Sequence, residues 1–160
     1  MNLPQMSIRR GGCAAAAVGD VIYVCGGSES ASATASCCAF STTTMTWTTT
    51  IPDMSTPRSG CSAIGINGKI VVVGGRDSSR TTFRSGESFN PQGNTWTTNY
   101  EMTHGRSFHG AVSFNGKIYI FGGLDADDKA QDTVIEGDDG KDFVDAKVEE
   151  MHALQMLCLS

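Results

Sequence analysis

One period governs this sequence. Met6, Met54 and Met102 stand 48 residues apart, as do Arg10, Arg58 and Arg106, and Ile22, Ile70 and Ile118. The glycine pairs Gly26-Gly27, Gly74-Gly75 and Gly122-Gly123 keep the same interval, and Trp47 and Trp96 follow one residue out of step. Unlike residue types held in phase over three copies mark an array of supersecondary units. Such units bury their apolar faces against their neighbours.

Each unit reads as four short strands. The first covers about residues 12–18, 61–66 and 109–114. The turns after it are Gly19-Asp20, Asn67-Gly68 and Asn115-Gly116. Asn-Gly readily takes positive φ at both central positions, as a type I′ hairpin requires. The second strand is Val21–Cys25, Ile70–Val73 and Ile118–Phe121. These runs are continuously apolar, so cover on both faces is expected. The glycine pair ends that strand and a polar loop follows, at residues 28–35, 76–85 and 124–132. A third strand is expected near residues 36–40 and 86–89, and a fourth from Trp47 or Trp96 toward Met54 or Met102. The two tryptophans are expected in the core between units. The third unit lacks the tryptophan, and Phe143, 20 residues past Gly123, stands in its place. Val134-Ile135 and the turn from Gly137 to Gly140 read as a degenerate third strand and turn. From Val144 to Leu159 helix formers dominate, with Val144, Val148, Met151 and Cys158 at helical spacing, so a helix is expected there. The rival reading is a fourth strand ending at Met151.

These residues resemble the kelch repeat. The likeness is closest at RSFHGAVSFNGKIYIFGG, from Arg106 to Gly123, good from Arg58 to Trp96 and looser from Arg10 to Trp47. The resemblance implies an all-β fold, a partial kelch β-propeller of about three four-stranded antiparallel blades. The blades would occupy residues 6–53, 54–101 and 102–143 within a repeat region of 1–143, with residues 144–160 as a separate C-terminal segment. It also implies a protein-interaction module, a scaffold or adaptor presenting blade loops to another protein, and not an enzyme. Two other readings stay open: a fragment of a propeller enzyme of oxidase or sugar-processing type, and a truncated product with no independent function.

Composition agrees with a globular β protein. Hydrophobic residues make up 39% and charged residues 18%, which is not a disordered chain. The net charge of −5 leaves no general basic footprint for nucleic acid. No apolar run approaches the roughly 20 residues of a membrane helix. The run from Cys13 to Val18 is too short for a signal peptide, so a cytoplasmic location is expected. Six cysteines occur without CxxC spacing. A disulfide framework stays open, and free thiols are favoured because most of them fall in strand-like runs.

Little in the sequence suggests chemistry. His104, His109 and His152 lack a metal-ligand spacing, and His109 stands where Cys13 and Cys61 stand in the other units. Cys37-Cys38 reads as small strand residues rather than a redox pair. Asp125-Ala-Asp-Asp128 lacks the EF-hand pattern and reads as a solvated acidic loop. No catalytic residue, cofactor or metal site is expected. The expected interaction rim gathers Arg10, Arg58 and Arg106 with Arg76, Arg80, Arg84, Asp125 and Asp127, since loops after strands two and four emerge on one face. For the three repeated arginines a structural role is the favoured reading, a repeat-locked bond to backbone carbonyls or to an acidic neighbour in the next blade. Three blades cannot close a ring of four to eight. The chain is therefore expected to be a piece of a longer propeller, to tolerate open edges, or to self-associate through its open faces, as a dimer resembling a six-bladed ring or as soluble aggregate.

Overall fold

The computed structural model describes residues 3–140 and 143–146. Fourteen strands form three four-stranded antiparallel sheets and one two-stranded ribbon. The first sheet holds β1 (Ala14–Val18), β2 (Val21–Cys25), β5 (Cys37–Ser41) and β6 (Thr46–Thr48) in that order. The second holds β7 (Ser62–Ile66), β8 (Lys69–Val73), β9 (Ser85–Asn90) and β10 (Thr95–Glu101). The third holds β11 (Gly110–Phe114), β12 (Lys117–Phe121), β13 (Val134–Asp138) and β14 (Val144–Asp145). Consecutive strands pair throughout, so each unit is a meander, the blade of a propeller. The ribbon, β3 (Ser28–Glu29) with β4 (Ser32–Ala33), lies inside the first polar loop.

The turns between first and second strands follow their residue types. Asn67 and Asn115 both take φ 49° and the glycines after them 73° and 76°, a type I′ arrangement. Register is then in phase from blade to blade: Ile22 faces Phe40, Ile70 faces Phe89 and Ile118 faces Gly137.

Two apolar layers separate the three blades. The first joins Tyr23, Cys25, Cys37 and Ala39 to Met54, Ile70, Val72 and Phe89. The second joins Ile64, Val71, Val73, Tyr100 and Met102 to Ile118, Ile120, Ile135 and Phe143. β8 has a layer on each side, and its residues from Ile70 to Val73 are completely buried, as its unbroken apolar run requires. A polar clasp reinforces the second layer. Asp139 accepts from the Tyr100 hydroxyl at 2.5 Å and from Asn67 Nδ2 at 3.1 Å, with Lys69 at 3.7 Å.

The aromatic swap in the third unit has a simple cause. In the first two blades a phenylalanine of the third strand lies against the tryptophan of the fourth, with ring centroids 5.1 Å apart for Phe40–Trp47 and 5.2 Å for Phe89–Trp96. In the third blade Gly137 occupies the phenylalanine position. The Phe143 ring fills the space a side chain there would need, and it stacks on Tyr100 at 5.4 Å. Two rings are replaced by one glycine and one ring. The tryptophans themselves are only half-buried. Trp96 packs against the first apolar layer and donates its indole N–H to Pro52 O at 2.8 Å.

The expected C-terminal helix is corrected at its start: Val144 and Asp145 are a strand, paired with Glu136 and Ile135. The backbone of Phe143 already bonds the Glu101 carbonyl and commits the chain to the sheet. The rest of that helix, residues 147–160, lies outside the described residues, as does His152.

Phe143 is 1% exposed, so Phe143→Ala is expected to cost about 3–5 kcal/mol. Trp96→Ala should cost less, since part of its ring already meets water. Urea denaturation of both variants measures the order. A Phe143→Ala loss below about 1 kcal/mol would mean that the third blade does not rest on this ring.

Candidate functional site

The three repeated arginines are built into the blades. Arg58 Nη1 donates to Gly74 O at 2.7 Å and Ser85 O at 2.9 Å, tying the end of β8 to the start of β9. Arg10 does the same to Gly26 O and Ser36 O at 2.9 and 2.8 Å, and Arg106 to Gly122 O and Thr133 O at 2.9 and 3.3 Å. A planar cation with several donors satisfies carbonyls that a strand end leaves unpaired. In the second blade the charge is also balanced: Arg58 meets Glu87 at 3.0 Å, both fully buried, and Glu87 accepts the Ser55 and Thr56 amides at 2.7 and 3.2 Å. Arg58 and Arg106 have no exposed surface and Arg10 is half-buried. For Arg58 and Arg106 a place in a partner-binding rim is therefore corrected, and all three arginines make the carbonyl bonds of the favoured reading. A guanidinium consumed by backbone carbonyls inside a sheet reaches no partner.

The loop residues divide. Arg76 and Arg80 converge on Asp128 from the neighbouring blade, at 2.9 and 3.2 Å. Arg84 lies apart, bonded to Met102 O at 2.9 Å and near Glu101 at 3.3 Å. Asp125 closes its own loop by accepting the Asp127 and Lys129 amides, both at 2.9 Å. These amides, that of Lys129 foremost, hold its carboxyl below the usual range. Asp77 stands one period earlier and does the same with Ser79 and Thr81, so this aspartate shapes the loop in two units. Asp127 is fully on the surface, 3.8 Å from Lys129.

Between the first and second loops lies a depression of about 270 Å³, lined by Ser28, Ala33, Ser59, Arg76, Arg80 and Phe108 among others. Phe108 was not among the residues expected here. Its ring is 51% exposed, with the Arg76 guanidinium 4.8 Å above its centre, a cation–π contact. The backbone at Phe108 is left-handed, φ 54°, and the equivalent residues of the other units, Gly12 and Gly60, have φ 61° and 65°. The third unit therefore carries a bulky side chain where the fold calls for glycine. Comparing the three units at this column would have exposed it.

Burial acts on the thiols and on His109. The five described cysteines are free thiols. Burial pushes the Cys61 thiol up to about 11 against the pull of Arg58. The Cys37 side chain, followed by burial, raises Cys25 well above its ordinary value. Protonated thiols of this kind are poor nucleophiles. Among the described residues no cluster of three His, Cys, Asp or Glu side chains could hold a metal ion. His109 is buried, and burial foremost, then Arg106, lowers its pKa from 6.5 to about 4. The Val73 and Arg106 carbonyls nearby oppose that shift weakly. Neither ring nitrogen meets either of them in hydrogen-bond geometry.

Four-stranded meander blades, an arginine bonded to strand-end carbonyls in each and a glycine pair after each second strand define a kelch-type propeller array. A sequence model of the KLHDC2/KLHL20/DRC7 Kelch-repeats domain matches residues 12–141. The chain belongs to the kelch-repeat family. The solved structure of YjhT superposes with a TM-score of 0.76 at 19% identity, over 90% of this chain and 53% of that one. The fold is shared, and the chain spans about half the length of that structure. A search of the curated proteins finds no match.

The His109 shift has a pH consequence. Between about pH 4 and 6.5 the unfolded chain binds the imidazole proton and the folded chain does not. Stability therefore falls as pH drops through that window, by up to about 3 kcal/mol. His109→Cys, which restores the residue of the other two units, should flatten the slope in urea midpoints taken from pH 7 to pH 4. An unchanged slope would contradict the buried neutral imidazole.

Proposed function

We propose that this kelch array is a protein-interaction module whose contact face is the depression around Phe108, Arg76 and Arg80. One observation carries the reading: Phe108 replaces the glycine of the other units at a left-handed backbone position and leaves its ring exposed. A strained conformation for a bulky residue costs on the order of 1–3 kcal/mol, and such strain clusters at functional sites. Phenylalanine and arginine are also the side chains enriched at the centres of interfaces. Arg76 and Arg80, tethered through Asp128, hold the floor and wall of the site in place. The occupant is a segment of another protein with an apolar side chain for the Phe108 ring and hydrogen-bonding groups for the arginines. Membranes and nucleic acid are disfavoured as partners by the net charge of −5 and by the small, mixed-charge surface.

The same observation supplies the test. Peptides selected from a displayed library against the immobilised chain are titrated by fluorescence anisotropy against the wild type and Phe108→Gly. Binding should weaken at least tenfold, while the urea midpoint stays level or rises as the strain is relieved. Selected peptides that bind both proteins equally, or a library that yields none, would contradict the proposal.

A further inference from the structure

Two thiols of the first blade stand directly opposite each other, Cys25 on β2 and Cys37 on β5. Both belong to the first apolar layer and are 1% and 4% exposed. The hydrogen bonds fix which kind of pair they form. On this ladder the Gly26 amide donates to Ser36 O at 3.1 Å and the Thr42 amide to Asp20 O at 2.9 Å. Hydrogen-bonded pairs alternate with non-bonded pairs along an antiparallel ladder. Asp20 and Gly26 differ by an even number of residues, so both stand in bonded pairs. Cys25–Cys37, next to Gly26–Ser36, is a non-bonded pair, in which opposing Cα atoms lie about 4.5 Å apart. A disulfide spans Cα separations of about 4.4–6.8 Å.

The second blade shows how near the side chains come at this place. Gly86 stands at the position of Cys37, opposite Val73, and a side-chain carbon on it would lie 2.8 Å from Val73 Cγ1. Thiols occupy both ends of the pair in the first blade alone, since the third blade has Phe121 opposite Val134. Neighbouring cysteines are placed less well. Cys38 follows Cys37 but pairs with Val24, so its side chain leaves from the other face of the sheet. Cys61 approaches from the second blade, its Sγ 3.4 Å from a side-chain position on Gly26. The Cys37 side chain is the first cause of the raised Cys25 thiol, ahead of burial and of Cys61.

We propose that Cys25 and Cys37 are a redox pair that closes into a cross-strand disulfide, with hydrogen peroxide as the oxidant. One sulfur, as its thiolate, attacks the peroxide O–O bond and becomes a sulfenic acid as the first water leaves. The other sulfur displaces that hydroxyl as a second water, and the S–S bond forms. Two hydrogens leave the protein, and one peroxide becomes two waters. Burial of both sulfurs makes the reaction slow and dependent on local opening. The bond ties together the two ends of residues 26–36, the loop that carries the β3–β4 ribbon and sets Ser28 and Ala33 at the wall of the depression. A crosslink at its base restricts that loop. The pairing itself does not depend on what binds at Phe108.

The reduced, folded 160-residue chain is treated with hydrogen peroxide, its remaining thiols are alkylated in urea, and it is cleaved after Tyr23, Glu29 and Phe40. Peptide 24–29 should be linked to peptide 30–40, with the loss of two hydrogens. Refolding from urea in mixed reduced and oxidised glutathione bypasses burial and should give the same link, each oxidised glutathione leaving as two reduced ones. Cys38→Ala should keep the link, and Cys25→Ala and Cys37→Ala should each abolish it. Amide exchange across residues 27–34 should slow in the linked chain and recover when dithiothreitol reduces it. A link that runs to Cys13, Cys38 or Cys61, or no link after refolding in glutathione, overturns the pair. A link that forms only on refolding overturns the peroxide reaction. Loop exchange that ignores the link overturns its hold on the loop.

Discussion

The fold depends on one residue used twice. In the second and third blades the arginine before the first strand sends its guanidinium into its own sheet and lends its carbonyl to the blade before. Arg58 bonds Gly74 O and Ser85 O with its side chain and takes the Gly27 amide with its backbone; Arg106 repeats this at Gly122, Thr133 and Gly75. The glycine pair exists for the same junction. Gly26, Gly27, Gly74 and Gly75 all have φ between 63° and 97°, and a side chain on Gly26 or Gly74 would collide with that arginine carbonyl. Arginine and diglycine are thus two halves of one contact, and the 48-residue period is the spacing at which the contact recurs.

Around this constraint the side chains vary from blade to blade. Two different solutions fill the aromatic site: Phe with Trp in the first two blades, as Phe40–Trp47 and Phe89–Trp96, and Gly137 with Phe143 in the third. Glu87 neutralises a buried arginine in the second blade only, where Cys38 and Ile135 hold the equivalent register positions. The carboxylate is worth its desolvation there because it also binds two linker amides. Phe108 is the exception: its ring lies against Gly60 and under the Arg76 guanidinium yet stays half exposed, and for that reason it is the functional candidate.

Much of this was legible in the sequence. Period, hairpin turns and apolar runs placed the second strands within a residue, because each rests on local chemistry: Asn-Gly at the turn and unbroken Val and Ile in the strand. Counting from Gly123 found Phe143, since packing sites recur with the repeat. For the repeated arginines a bond to backbone carbonyls was the favoured reading, but which carbonyls they reach was not legible. A repeat-locked arginine beside a loop can point to solvent or into the sheet, and only the carbonyls around Gly74 and Ser85 decide. The ribbon within residues 28–35 was hidden because two-residue strands, Ser-Glu and Ser-Ala, carry no periodicity. The strand at Val144 was masked by helix formers beyond it, and its pairing with Glu136 overrode that propensity. Among the rim residues, Arg76 and Arg80 converge on one carboxylate, whereas Arg84 and Asp125 are spent on their own surroundings.

The arginine's hold on its own sheet is tested most directly by Arg58→Lys, which keeps the charge beside Glu87 and loses the fork that spans two carbonyls. Urea unfolding at fixed protein concentration should show one cooperative transition, destabilised by about 2–4 kcal/mol, the scale of two charge-assisted bonds left unmade. A loss below about 1 kcal/mol would show that a point charge suffices, and would contradict the claim that the guanidinium fork holds the second blade's strands together.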